Sequence, residues 1–109
     1  MRRCEKWLGQ HFREPGAVAR AVRVAGIPER TLKRRFRAAT GLALIDYVQN
    51  LRIEEAKRLL EASPRAAEDI SSDVGYEDAS FFRRLFKRRT GVSPRQYRQA
   101  FSTQRLARR

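Results

Sequence analysis

The sequence predicts an all-α fold of about seven helices. Apolar residues recur every three or four positions through most of the chain, and no stretch shows the alternation typical of a strand. Glycine or proline interrupts this pattern after each of the first six segments, as expected for residues that end helices. The 109 residues are enough for one domain or for two very small subdomains.

The boundaries of the helices follow from these breaks and from capping residues. Asp78 and Ser93 are typical N-caps, and Pro94 suits the first position of a helix. The predicted helices cover residues 1–13, 17–25, 28–39, 44–62, 65–74, 79–89 and 93–100, followed by a basic tail at 102–109. The fourth helix is the longest and would measure about 28 Å.

Apolar positions on one face of each helix predict the core. In the third helix Leu32, Phe36 and Ala39 share a face, and Phe82 and Phe86 share a face of the sixth. The other predicted inward residues are Cys4, Trp7, Leu8 and Phe12; Val18, Ala21, Val22 and Ala25; Leu44, Val48, Leu51, Ala56, Leu59 and Leu60; and Ala66, Ala67, Ile70 and Val74.

The chain repeats itself at an offset of 50 residues. Phe36, Thr40, Gly41 and Tyr47 recur as Phe86, Thr90, Gly91 and Tyr97, and Arg34 recurs as Arg84. Each copy contains a short helix, a turn with glycine, a basic helix, a Thr-Gly stop and a helix with an inward tyrosine. Two helices joined in this way describe a helix-turn-helix, whose second helix enters the major groove in DNA-binding examples.

The distribution of charge favours a binding function over a duplicated hairpin without a ligand. The formal net charge of +13 attracts nucleic acid, anionic membranes and acidic proteins alike. However, 10 of the 25 basic residues lie on the third and sixth helices, whereas the long fourth helix is nearly neutral. These ten are Arg30, Lys33, Arg34, Arg35 and Arg37, and Arg83, Arg84, Lys87, Arg88 and Arg89.

The helical wheel places most of these cations opposite the core. Arg30, Lys33, Arg34 and Arg37 fall within an arc of about 100° on the third helix, and Ser80, Arg83, Arg84 and Lys87 fall within the same arc on the sixth. Arginine can donate two hydrogen bonds to guanine, and arginine or lysine can contact phosphate. Each basic helix therefore combines a buried anchoring face with a face suited to a DNA groove.

The composition argues against other classes of protein. Cys4 and His11 are the single cysteine and histidine, so no multi-cysteine zinc site or internal disulfide is possible. The sequence lacks a glycine-rich phosphate loop and a nucleophile with a histidine at a plausible spacing. We therefore expect no catalytic residue, metal site or cofactor. No apolar run approaches the ~18 residues that span a bilayer, which predicts a cytoplasmic protein without a membrane partner.

These residues resemble the DNA-binding domain of the AraC/XylS family of bacterial transcription regulators. The resemblance extends from about Trp7 to Phe101. Its most specific segments are 74–78 (VGYED), 81–87 (FFRRLFK) and 91–98, where GVSP is followed by Tyr97 and Arg98.

The resemblance implies two tandem, homeodomain-like helix-turn-helix subdomains, at 1–43 and 63–101, joined by a linker helix at 44–62. It implies a sequence-specific regulator of transcription whose recognition helices, about 29–39 and 79–89, enter neighbouring major-groove segments of promoter DNA. RNA polymerase is a second candidate partner. We expect the domain to be a monomer. It is either a stand-alone protein, as some family members of about this size are, or, as we favour, a domain excised from a longer protein that would dimerise through an additional N-terminal domain.

Individual residues acquire roles from the same resemblance. The implied base contacts are Arg30, Lys33 and Arg34 in the first unit, and Ala79, Ser80, Arg83 and Arg84 in the second. Arg37, Lys87 and Arg88 are the implied phosphate contacts. Arg52 is implied to be a buried structural partner in an ion pair. One departure is Pro28, which stands where the family usually has a serine, so the first recognition helix lacks its usual N-cap.

The main alternative is a basic protein that binds nucleic acid without sequence preference. Such a protein would need exposed aromatic residues on which bases can stack. Here most aromatic residues map to core positions. Trp7 is interpreted as a packing residue, Cys4 as inert, and Phe81 as packing on a neighbouring helix or contacting a thymine methyl group.

Overall fold

The structure is a computed structural model that describes residues 1–107, with side chains described as far as Ser102. This part of the chain forms seven α-helices and no strand, which confirms the predicted all-α class. The helices are α1 (Arg2–His11), α2 (Ala17–Ala25), α3 (Glu29–Thr40), α4 (Leu44–Ala62), α5 (Ala67–Asp73), α6 (Ala79–Thr90) and α7 (Pro94–Ala107).

The predicted helix bounds agree with the structure within two residues, except at the end of α7. That helix continues to Ala107, so its predicted end near residue 100 was wrong. After Pro94 the chain has no glycine or proline, and alanine, glutamine and arginine favour helix continuation. The side chains of the predicted basic tail beyond Ser102 lie outside the described residues.

The chain divides into two compact units, one from Met1 to Arg52 and one from Ile53 onward. The boundary falls within α4, so each unit includes part of the long helix. Unit 1 is built from α1, α2, α3 and the first half of α4. Unit 2 is built from the second half of α4 with α5, α6 and α7.

Each unit has its own hydrophobic core. The buried cluster of unit 1 is Leu8, Ala21, Leu32, Phe36, Leu44 and Val48. That of unit 2 is Ile53, Ala56, Leu60, Ile70, Val74, Tyr76, Phe82, Leu85 and Phe86. Phe36, Phe82 and Phe86 are fully buried, which confirms the predicted anchoring faces of α3 and α6.

Three alanines predicted to face inward are exposed. Ala39 lies in the last turn of α3, a turn beyond Phe36, where the core of unit 1 has already ended. Ala25 is the last residue of α2 and is exposed at its end. Ala66 has extended backbone and forms the N-cap of α5, because this helix begins two residues later than the sequence predicts.

The Thr-Gly stop that ends each recognition helix has the same hydrogen bond and the same glycine conformation in both copies. The Oγ1 hydroxyl of Thr40 donates to the carbonyl of Phe36, and that of Thr90 donates to the carbonyl of Phe86, both at 2.8 Å. The following glycine is left-handed in each copy, with φ of 79° at Gly41 and 87° at Gly91. A side chain other than glycine would be strained there, so the repeat fixes where each recognition helix ends.

An aromatic pair is repeated as well. Tyr47 meets the edge of Phe36 with ring centroids 5.1 Å apart, and Tyr97 meets Phe86 at 5.7 Å. Edge-to-face pairs of this kind add to the stabilisation from burial. Desolvation of both phenols raises the pKa values of Tyr47 and Tyr97. The predicted packing of the two tyrosines is thus confirmed.

In each unit an arginine holds main-chain carbonyl groups together. Arg52 is buried, as predicted, and its Nε and Nη2 donate to the carbonyls of Phe12 and Glu14 at 2.7 and 2.9 Å. Arg98 donates to the carbonyls of Leu60, Ser63 and Arg65 at 3.1, 3.0 and 2.6 Å. Both fix the chain between the first helix of a unit and its helix-turn-helix. The sequence did not predict these carbonyl partners.

Arg98→Lys should lower the free energy of unfolding by about 2–3 kcal/mol. Lysine keeps the charge, but its donors lie on one nitrogen, whereas Arg98 uses Nε for one carbonyl and Nη2 for the other two. Hydrogen bonds to charged groups contribute about 1.5–3 kcal/mol each. Urea denaturation followed by circular dichroism measures the loss. Arg95→Lys, an exposed change one turn earlier, is the matched control. Equal stability of the two variants would contradict the role given to Arg98.

Candidate nucleic-acid interface

Both units contain two helices joined by a short turn with a left-handed glycine. In unit 1 the turn between α2 and α3 contains Gly26, with φ of 68°. In unit 2 the turn between α5 and α6 contains Gly75, with φ of 112°. The hydroxyl of Ser71 donates to the carbonyl of Tyr76 at 3.2 Å and closes this second turn. The structure thereby brings α3 and α6 into the position of a second, recognition helix.

The predicted contact residues of α3 lie together on its exposed face. Arg30, Lys33, Arg34 and Arg37 are all exposed, whereas Leu32 and Phe36 of the same helix are buried. Lys33 forms an ion pair with Glu29 one turn earlier, at 3.5 Å. One of the four cations on this face is therefore partly neutralised by a carboxylate at the start of the helix.

The predicted contact residues of α6 also share an exposed face. Ser80, Arg83, Arg84, Lys87 and Arg88 are exposed, and Ala79 is half-buried at the start of the helix. Arg83 is the one that pairs outside its own helix: its Nη1 donates to Oε1 of Glu68 in α5 at 2.9 Å. Its Nη2 lies 3.5 Å from the hydroxyl oxygen of Ser80.

The remaining predicted contact cations have no hydrogen bond or ion pair within the described part of the chain. They are Arg30, Arg34 and Arg37 in α3, and Arg84, Lys87 and Arg88 in α6. Their donors are therefore available to an external acceptor. Arg89 differs from these six, since it is half-buried and has a partner.

The two recognition helices begin differently. Asp78 caps α6, because its Oδ1 accepts from the backbone N–H groups of Ser80 and Phe81 at 2.9 and 3.2 Å. Pro28 stands at the corresponding position of α3 and makes no side-chain cap hydrogen bond. This confirms the predicted loss of an N-cap in unit 1.

A groove in unit 1 was not predicted. It has a volume of about 390 Å³ and lies between the basic face of α3 and the start of α4. Lys33, Arg34 and Arg37 line one side, and Ala43, Leu44 and Ile45 line another. Ile45 is 47% exposed, so the apolar side of the groove is open to solvent. Its only sequence signal was the run of apolar residues, 42–45, that follows the Thr-Gly stop.

The single tryptophan, histidine and cysteine of the chain lie in unit 1. Trp7 stacks on His11 with ring centroids 4.5 Å apart, which confirms its packing role. The guanidinium of Arg20 lies 5.6 Å from the centre of the Trp7 ring. Cys4 is half-buried, and this burial raises the pKa of its thiol, so the nucleophilic thiolate is disfavoured.

The described residues hold no group of three histidine, cysteine or acidic side chains that would suit a metal ion. Among the same residues no helix has the length and apolar character needed to cross a bilayer. Phe81 is 39% exposed, and its ring lies 5.6 Å from that of Tyr76, so it packs on the turn of unit 2 while part of it faces solvent.

Residues 21–100 match the family described as a helix-turn-helix domain. The transcriptional activator RhaR of Yersinia pseudotuberculosis is 41% identical over 73 residues, which are 67% of this chain and 25% of that protein. RhaR of an Escherichia coli O1:K1 strain is 34% identical over 91 residues, which are 84% of this chain and 32% of that protein. The chain thus spans about a quarter to a third of the length of these curated relatives.

Solved structures give the same result. The DNA-binding domain of the global transcriptional factor AdpA, solved with a target DNA, has a TM-score of 0.90 and 31% identity, covering 95% of this chain and 94% of that one. The C-terminal domain of AraT, a response regulator from Geobacillus stearothermophilus, has a TM-score of 0.87 and 27% identity, covering 91% and 83%.

These matches agree with the tandem helix-turn-helix fold and with the resemblance seen in the sequence. They also place the chain among regulators of transcription, which confirms the prediction that it is not an enzyme. The chain belongs to the AraC/XylS family of transcription regulators and contains the helix-turn-helix DNA-binding domain of that family.

Proposed function

We propose that this domain binds double-stranded promoter DNA in a sequence-specific manner through the exposed faces of α3 and α6. The observation that carries the proposal is the amphipathic form of both helices. Each buries phenylalanine on one side and exposes unpartnered arginines on the other. An α-helix fits the major groove, which is about 12 Å wide and presents a distinct pattern of donors and acceptors for every base pair.

The chemistry of the exposed residues supports separate roles. Arginine can donate two parallel hydrogen bonds to O6 and N7 of guanine, serine can contact several bases, and alanine can pack on the thymine methyl group. We propose Arg30, Lys33, Arg34, Ala79, Ser80, Arg83 and Arg84 as base contacts. Arg37, Lys87 and Arg88, nearer the ends of their helices, are the proposed phosphate contacts.

The alternative, binding without sequence preference, has less support. Nonspecific binders of single strands use several exposed aromatic rings as stacking platforms. Among the described side chains, Phe81 is the aromatic one that is exposed, at 39%. The aromatic residues of this domain instead anchor the recognition helices from within.

The proposal includes two partners and a place of action. One chain supplies two recognition helices, whereas proteins with a single helix-turn-helix obtain two by dimerising. We therefore propose that the domain binds as a monomer in two neighbouring major-groove segments.

The RhaR relatives are called transcriptional activators, and RNA polymerase is therefore the proposed second partner. A regulator of bacterial promoters acts in the cytoplasm. Dimerisation of a longer protein through an N-terminal domain is part of the same proposal.

A binding assay across salt concentrations tests specificity. Sites selected from random duplexes should bind at least about 10³-fold more tightly than unselected duplex. Three phosphate contacts should give a salt slope of about −2.7, since each contributes about 0.9. Fluorescence anisotropy with labelled duplexes measures both quantities. Equal affinity for selected and random duplex would favour the nonspecific alternative.

Arg84→Ala and Lys87→Ala separate base contacts from phosphate contacts in α6. Arg84→Ala should cost about 1–3 kcal/mol on the selected site and relax the base preference under unit 2. Lys87→Ala should weaken binding to every duplex alike and reduce the salt slope by about one. The two variants are matched, because both remove an exposed, unpartnered cation from the same helix. Equal losses on selected and random DNA for both variants would show that the division of roles is wrong.

A further inference from the structure

We infer that Glu68 is a positioning residue that sets the base discrimination of Arg83, an inference that rests on the proposed function. The two side chains belong to different helices of the second helix-turn-helix. Glu68 lies in the first turn of α5, and Arg83 lies on the exposed face of α6, fifteen positions later. The 2.9 Å contact between Oε1 and Nη1 therefore links the recognition helix to the helix that supports it.

The contact constrains the direction of the guanidinium group. Nη1 is held by Glu68, and Nη2 lies 3.5 Å from the hydroxyl oxygen of Ser80. A guanidinium has five N–H donors in a fixed plane, so three remain for DNA after these two contacts. A side chain confined in this way loses less conformational freedom when it donates to a base.

The carboxylate of Glu68 also changes the relative strength with which Arg83 binds phosphate and base acceptors of DNA. An unpaired arginine is attracted to any phosphate, and this attraction does not depend on sequence. The negative charge of Glu68 weakens the attraction of Arg83 to phosphate. Hydrogen bonds from the oriented guanidinium to a base edge still form with the correct sequence and stabilise that complex. Glu68 should therefore lower affinity for all DNA while raising the ratio of specific to nonspecific binding.

The pair is not explained by a contribution to stability. The side chains of Arg83 and Glu68 are 44% and 64% exposed, and exposed ion pairs contribute little to folding. Unit 1 has no equivalent contact among its described residues: the first turn of α2 contains no acidic residue, and Lys33 pairs with Glu29 of its own helix. Among the described residues, the ion pair between helices is therefore specific to the second recognition helix.

The chain provides a matched control for the test. Asp69 is the next residue of α5, is also exposed, and forms no ion pair within the described residues. Glu68→Gln and Asp69→Asn remove the same charge one position apart. Anisotropy measures the affinity of each variant for the site selected with the unchanged domain, for single base-pair variants of the site under unit 2, and for random duplex. Thermal unfolding checks that both variants are folded.

Both variants should bind random duplex more tightly than the unchanged domain, because each loses one negative charge. Only Glu68→Gln should lower the specificity ratio, by about fivefold or more, the lower end of the effect of one mismatched base pair. In an Arg83→Ala background the two substitutions should have the same effect on this ratio, since Glu68 acts through Arg83.

Two results would overturn the inference alone. One is a specificity ratio for Glu68→Gln within twofold of that for Asp69→Asn while the unchanged domain prefers its site. The other is an undiminished effect of Glu68→Gln in the Arg83→Ala background. An unchanged domain that binds selected and random duplexes equally would instead overturn the proposed function, and the inference with it.

Discussion

Burial of the phenylalanine face of each recognition helix is the interaction on which the interface depends. Phe36 and Phe86 are completely buried and meet an edge-on tyrosine from the next helix. Without such an anchor, a helix of twelve residues with five cations would unfold, because short isolated helices are marginally stable in water and its like charges repel one another. Because one side is held in the core, the other side can present arginine at fixed positions. The affinity for a polyanion is thus supported by apolar packing on the opposite face.

A second constraint acts on the chain that leads into each helix-turn-helix. Arg52 and Arg98 have the same task but not the same place in the repeat, since Arg98 follows its tyrosine directly and Arg52 follows Tyr47 by five positions. Arg52 and Arg98 are 46 positions apart, four fewer than the 50-residue offset of the repeat. Four residues are about one helical turn, so the two side chains still lie on equivalent faces of their helices. Carbonyl groups left by the helix ends need donors, and a buried arginine can satisfy several at once.

Most of the fold could be predicted because its signals are local. The Thr-Gly stops, the apolar periods and the 50-residue repeat fixed the recognition helices to within a residue. Ala25 and Ala39 were wrongly predicted to face inward because a methyl group is compatible with either face of a helix, and Ala66 because α5 begins two residues later than predicted. The exposed faces of α3 and α6 followed from the same periodicity. The contact from Glu68 to Arg83 could not be predicted, because it depends on how two helices pack and not on spacing along one of them.

The two halves of the repeat are unequal in how firmly their recognition helices are prepared for binding. The start of α6 is capped by Asp78, and Arg83 is held from α5, whereas α3 begins at an uncapped proline and its one ion pair is intrahelical. A preorganised side chain loses less entropy on binding, and because its direction is restricted it cannot turn toward the acceptors of an incorrect base. Helices α3 and α6 each have three proposed contact cations without a partner in the described part of the chain, but in α3 no contact cation is held from another helix, which suits attraction that is less dependent on sequence. On the proposed function, this asymmetry predicts that unit 2 contributes more of the base discrimination and unit 1 more of the general affinity.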